Sequence, residues 1–257
     1  MTPTILRTNA TAVYRFLSIL HTSLAKGDSF TGKKVLDCGA GGPVPPLAIF
    51  AEQGLDAYGI DLSENQVAKA KAFIEQSGLS IHLQTGDMRQ IPFDDDTFDY
   101  VYEHYSMCHL SKADTAAAIS EMKRVLKPGG IAFLGVVSQD CWPLSSYGEE
   151  RSPGERWMIE GGEETCHSLF TDQESDQLLA SWDVAFKEKA IAYVGGEALS
   201  EEDWEALHPD APSACSLSEW KAQYEQRANL CKYVHTYYYL EKIGRLCIRA
   251  ADSQIEF

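Results

Sequence analysis

Lys33 to Pro43 read K-K-V-L-D-C-G-A-G-G-P, and the rest of the chain is organised around this stretch. Val35-Leu36 predict a short strand entering a buried sheet, and Asp37 falls where that strand ends. Gly39 and Gly41 allow a tight turn and let the backbone come close to a ligand. The apolar run from Val44 to Ala51 predicts a helix with prolines near its start, where a missing N–H is tolerated. Strand, glycine turn and helix N-terminus make a crevice at the carboxyl edge of a parallel sheet, where open α/β sheets bind nucleotides. The spacing narrows the ligand. A dinucleotide fingerprint starting at Gly39 requires glycine at position 44, and Val44 stands there. An acid two residues before the first glycine would repel a pyrophosphate and suits a ligand carrying an ammonium group.

The flanking sequence continues an alternation of helices and strands. Apolar positions recur at three and four over residues 8–26, which predicts a helix stopped by Gly27. Ala57 to Asp61 predict a second strand, and an acid at its end can accept hydrogen bonds from both hydroxyls of a ribose. Leu62 beside it is placed to pack on an adenine. Ser63 is the expected cap of the next helix, with Gln66 at its third position. Ser80–Gln84 is the third expected strand and runs into Gly86-Asp87-Met88, with His82 a surface or edge residue; Phe98–Tyr102 is the fourth. A helix begun by Ser111 or Asp114 is expected to end at a glycine of R-V-L-K-P-G-G, before a fifth strand from Ile131 to Val136.

These elements carry a resemblance. D-x-G-x-G at Asp37, Gly39 and Gly41, with Pro43 in place of a third glycine, resembles motif I of the class I S-adenosylmethionine-dependent methyltransferases. I-P-F-D-D-D-T-F-D-Y-V from Ile91 to Val101 and R-V-L-K-P-G-G from Arg124 resemble the small-molecule (type 11) group of that family. The resemblance runs from about 33 to 136. It implies an α/β, Rossmann-like, doubly wound, mostly parallel seven-stranded sheet with helices on both faces and an inserted substrate-side segment. It implies S-adenosylmethionine as methyl donor and S-adenosylhomocysteine as product. The expected cofactor residues are Asp37, Gly39, Ala40, Gly41, Asp61, Leu62, Gln66, Gly86, Asp87, Met88 and Glu103. Asp87 would meet the adenine amine and Met88 its ring. Glu103-His104-Tyr105 falls where the methyl group should point, making His104 the candidate general base, with Tyr105 and Glu103 as further candidates. Tyr14 is a candidate lid residue, because an N-terminal helix often covers the cofactor in this family. His109 is expected to be structural.

Charge bears on the partner. The chain of 257 residues has a net charge of −16. Residues 139–225 hold 20 acids and 5 basic residues, and the remainder is nearly neutral. That field opposes nucleic acid and anionic membranes and favours a neutral or cationic small-molecule acceptor. Seven scattered cysteines without C-x-x-C suggest neither a disulfide framework nor a zinc site, so no metal is expected, and a reduced cytoplasm is the expected location. Residues 1–7 lack the features of a signal peptide, and a monomer or homodimer is expected.

Three segments follow: residues 1–138 as N-terminal helix and cofactor core, 139–230 as an acidic lid or insertion that includes part of a core helix and strand, and 231–257 as a last strand. Within the second, 139–170 is expected to be a loop or lid. Thr171 with Glu174 should cap a helix leading to a strand from Val184 to Tyr193, and 195–230 is expected to hold short helices. Three readings of function are carried: methyl transfer to a small molecule, a non-catalytic module of the same fold that binds the cofactor or a protein, and an NAD-dependent reductase, which Val44 at the third glycine place weakens.

Overall fold

The computed structural model describes residues 10–24, 29–141, 144–160, 162–195 and 230–242. The core alternates strand and helix: α1 Ala10–Ser23, β1 Lys34–Cys38, α2 Leu47–Glu52, β2 Asp56–Asp61, α3 Glu64–Ser77, β3 Ile81–Thr85, β4 Phe98–Glu103, α4 Lys112–Val125 and β5 Leu126–Val137. Three short strands follow, β6 Glu149–Ser152, β7 Glu155–Glu160 and β8 Glu163–Ser168. The chain then returns through α5 Asp172–Leu178, β9 Asp183–Gly195 and β10 Leu230–Glu241. The main sheet has seven strands in the order β3-β2-β1-β4-β5-β10-β9. β1 to β5 pair in parallel, and β10 runs antiparallel to both of its neighbours. The expected doubly wound architecture is therefore present.

Each face of the sheet has its own core. Phe16 and Leu20 of α1, Leu47 and Phe50 of α2, and Val67 and Ala70 of α3 are buried on one side. Ile119 and Met122 of α4, with Leu179 and Trp182 after α5, are buried on the other. Strand order reverses between β1 and β4, which opens the crevice at their carboxyl ends.

Local signals explain most boundaries. Ser63 Oγ accepts the Gln66 N–H, and Gly78 closes α3 in the left-handed conformation at φ 68°. Thr171 and Glu174 form a reciprocal capping box. Thr171→Ala should destabilise the chain by about 1 kcal/mol in urea unfolding, the usual worth of such a cap.

Two expectations are corrected. The first is the end of α4, which no glycine terminates. Leu126 turns extended directly after Val125, so K-P-G-G lies inside β5. Lys242 takes the place of a glycine cap, its Nζ donating to the carbonyls of Arg124 at 3.2 Å and Leu126 at 2.7 Å. The second is 139–170, which is no mere loop: β6, β7 and β8 form a three-stranded antiparallel sheet. Its outer strand is exposed along its whole length, so the hydrophobic alternation that announces a strand is missing. Where short helices were expected, 196–229 lies outside the described residues, as does the end of the last strand beyond 242.

Candidate active site

Parallel pairing of β1 with β4 sets Asp37 opposite Tyr102 and Cys38 opposite Glu103. Asp37 and Glu103 are thus brought to neighbouring strand tips, one residue apart in register, and are 2% and 0% exposed. Glu103 Oε1 accepts the backbone N–H groups of Ser106 at 2.9 Å and Met107 at 2.7 Å. Glu103 Oε2, Asp37 Oδ2 and the buried Tyr102 hydroxyl meet no hydrogen-bond partner among the described residues. Burial pushes the Glu103 carboxyl up to about 7 despite the opposing pull of the backbone N–H groups of Met107, Ser106 and Gly135. Asp37 is held well above the carboxylate range, first by burial and then by the charges of Glu103 and Asp61. Buried carboxylate oxygens left unpaired are costly unless a cation reaches them. Among the described residues no lysine or arginine is bonded to either acid.

The glycine turn beside it is fixed by geometry. Gly39 N and Ala40 N donate to the Ile60 carbonyl at 2.8 and 2.9 Å, and Gly42 N to that of Gln66 at 3.0 Å. Gly39 has φ 97°, and a Cβ there would lie 2.0 Å from Ser106 Oγ. A Cβ on Gly41 would lie 2.4 Å from Asp61 Oδ2 and 2.6 Å from Gln66 Cβ. Gly41 N donates to Asp61 Oδ2 and Ser63 N to Asp61 Oδ1, both at 2.9 Å. Each Asp61 oxygen therefore keeps a lone pair for a further donor. Leu62, next in the chain, is 63% exposed, a large apolar side chain presented rather than buried. Gly86 N binds the Asp61 carbonyl at 3.0 Å, so the turn after β3 is tied to the same strand end.

Other expected residues sit less simply. Asp87 is paired with Arg89 through both carboxylate oxygens, at 2.7 to 3.0 Å, which holds its carboxyl below the usual range. Met88 packs partly buried against the α4-side core. Tyr14 is exposed on α1, while Arg15 is bonded to Glu188 of β9 and Phe16 stacks on Tyr102 at 6.0 Å between ring centres. His104 is half-buried, its Nε2 lying 3.3 Å from the Tyr237 hydroxyl. Burial, then His235, lowers its pKa to about 3, so the ring is neutral and a poor proton acceptor. Tyr105 has φ 67°, and its ring lies 5.3 Å from that of His235. His104, Tyr105, His235 and Tyr237 thereby form an aromatic wall at the carboxyl end of β4.

Sequence reasoning missed Tyr102, Ser106, His235 and Tyr237. The alternation of β4 could have marked Tyr102. His235 and Tyr237 join the wall because β10 pairs with β5, setting Tyr237 opposite Gly135, a long-range choice with no local signal.

Comparison with known proteins decides the family. Residues 36–134 match the family model described as a methyltransferase domain, type 11. Residues 36–134 form a class I methyltransferase domain. The sterol 24-C-methyltransferase ERG6 of Saccharomyces cerevisiae is 30% identical over 212 residues, covering 80% of this chain and 50% of the yeast protein. The 24-methylenesterol C-methyltransferase 3 of Arabidopsis thaliana is 38% identical over 104 residues, 39% of this chain and 28% of the plant protein. The chain thus spans half or less of these relatives' length. Among solved structures, a SAM-dependent methyltransferase of Methanosarcina mazei superposes with TM-score 0.62 at 18% identity, covering 88% of this chain and 98% of that one. An S-adenosylmethionine-dependent methyltransferase from Clostridium acetobutylicum gives 0.60 at 12% identity, covering 93% of each. Domain and fold imply S-adenosylmethionine as cofactor, and the residues fit it. The unpaired oxygens of Asp37 and Glu103 suit its positive charge, Asp61 its ribose, and Leu62 its adenine.

Proposed function

We propose that the chain transfers a methyl group from S-adenosylmethionine to a small-molecule acceptor, neutral or cationic, that lies against the aromatic wall. The observation that supports this most is the pair of buried, unpaired carboxylate oxygens at the β1 and β4 tips. When bound, the cofactor supplies an electrophilic methyl on a sulfonium. The chain's own contribution is placement. Asp37 and Glu103 hold the cationic end, Asp61 and the glycine turn hold the ribose, and the aromatic wall orients the acceptor and keeps water away.

His104 in this reading is a neutral wall residue that exchanges a hydrogen bond with Tyr237, rather than the general base. Two of the relatives carry names of sterol methyltransferases, and an apolar acceptor agrees with rings of low charge. Proton loss from the acceptor is then left to the acceptor's own chemistry. His104→Phe keeps the ring and removes the nitrogens. It should retain turnover within about tenfold, whereas His104→Ala should lower it by about 10²-fold through loss of positioning. The test is transfer of labelled methyl to a panel of apolar and cationic acceptors. Bound cofactor with no acceptor labelled would favour the non-catalytic module instead.

A further inference from the structure

One group of side chains adjoins the aromatic wall at Tyr105, whose ring lies 6.4 Å from that of His109, but takes no part in the function proposed above. Cys108 and His109 occupy the short 3-10 turn Met107–His109 that follows β4. His167 comes from β8 of the small sheet. One ligand atom from each of the three lies within 4.8 Å of the other two. Cys108 and His167 are buried and His109 is exposed, so the group has a shielded side and an open side. The two imidazole rings stand nearly perpendicular, 77° apart, with centres at 4.8 Å.

A second observation points to a ligand. His167 Nε2 lies 2.9 Å from Glu160 Oε1, across the β7–β8 pair. A carboxylate there keeps the proton on Nε2 and leaves the Nδ1 lone pair available. Metal-bound histidines usually donate their other ring N–H to just such a carboxylate, which fixes the tautomer and raises ligand basicity. One thiol and two imidazoles form a borderline-soft donor set, of the kind that zinc and cobalt accept and magnesium or calcium do not.

We propose that Cys108, His109 and His167 bind one divalent transition-metal ion of the zinc type. The ion takes the Cys108 sulfur as thiolate, and one proton leaves to solvent for each ion bound. It takes one nitrogen from each imidazole. Three protein ligands leave one position of a tetrahedron open on the exposed side, the side of His109. The ion pins the small sheet to the carboxyl end of β4. It thereby fixes the turn whose backbone N–H groups at Ser106 and Met107 hold Glu103.

The test is titration of the full chain, stripped with chelator, with Co²⁺ as a spectroscopic probe. The expected result is one equivalent bound, with a thiolate-to-cobalt charge-transfer band displaced by Zn²⁺. Cys108→Ser should abolish the band, and Cys166→Ser, a neighbouring buried thiol, should leave it. Glu160→Gln should weaken the affinity about 10–100-fold, the usual effect of losing such an outer partner. Zn²⁺ should raise the melting temperature of the wild-type chain and leave that of Cys108→Ser unchanged. Should Cys108→Ser fail to fold, protection of Cys108 from alkylation by bound Zn²⁺, located by mass spectrometry, gives the same answer on the wild-type chain. Absence of stoichiometric Co²⁺ binding would overturn the proposal. So would a band that survives Cys108→Ser, or alkylation of Cys108 that Zn²⁺ does not slow. None of these readouts depends on methyl transfer, so they separate the metal site from the function proposed above.

Discussion

Glu103→Gln is expected to weaken S-adenosylmethionine binding by about 100-fold, and Glu103→Gln with Asp37→Asn to abolish measurable binding. Removing one partner of a buried charge pair commonly loses several kcal/mol, and about 2.7 kcal/mol is a hundredfold in affinity. The same substitution should have the opposite effect on the cofactor-free fold. The Glu103 carboxyl is raised by burial from 4.5 to about 7. The folded chain therefore holds this proton more tightly than the unfolded chain does. Stability from this group is full below about pH 4.5, falls as pH rises to about 7, and stays low above that, a loss of about 3 kcal/mol in all. Glu103→Gln removes the ionisable group, so at pH ~8 it should raise the stability of the cofactor-free chain by up to about 3 kcal/mol. Urea unfolding with and without cofactor checks both signs. A variant that bound the cofactor normally, or one equally destabilised with and without it, would break the link between this acid and the ligand's charge.

Gly39→Ala is the second large effect. The position has φ 97°, which a residue with a Cβ adopts only under strain, and that Cβ would sit 2.0 Å from Ser106 Oγ and 2.3 Å from Ser106 Cβ. The turn must move, and with it the Gly39 and Ala40 N–H groups held by the Ile60 carbonyl. A destabilisation of about 2–4 kcal/mol is expected, with loss of cofactor binding. Ser106→Gly in the same chain should recover only part of it, because the contact is relieved and the backbone strain is not. Full recovery in the double variant would show that φ at Gly39 is unimportant.

Much of this was legible in the sequence for identifiable reasons. Strand, glycine turn and helix in 33–51 are local chemistry, and so are the caps at Ser63 and Thr171. Their geometry follows the residues directly. The acids at the ends of the first two strands were likewise readable from position alone, and the structure brings Asp61 onto the Gly41 turn. Asp87 was readable as a strand-end acid, but its pairing with Arg89 was not, because an ion pair two residues apart leaves no periodic trace. Charged strands hid the β6–β8 sheet, whose first strand carries E-E-R-S with no apolar side chain to bury. His235 and Tyr237 stayed hidden for a different reason. Their place in the site depends on β10 pairing with β5 across about a hundred residues of chain, a tertiary choice no local window records.

The seat formed by Asp37 and Glu103 is tested most directly by calorimetric titration of the wild-type chain with S-adenosylmethionine at pH ~6 and pH ~8. Each titration is repeated in buffers of different ionisation heat. Burial pushes the Glu103 carboxyl up to about 7, and in the proposed role it would be ionised to meet the cation. One site is therefore expected, with affinity about tenfold lower at the acid pH and close to one proton released there on binding. No heat of binding at either pH, or binding with equal affinity and no proton release at both, would contradict the account.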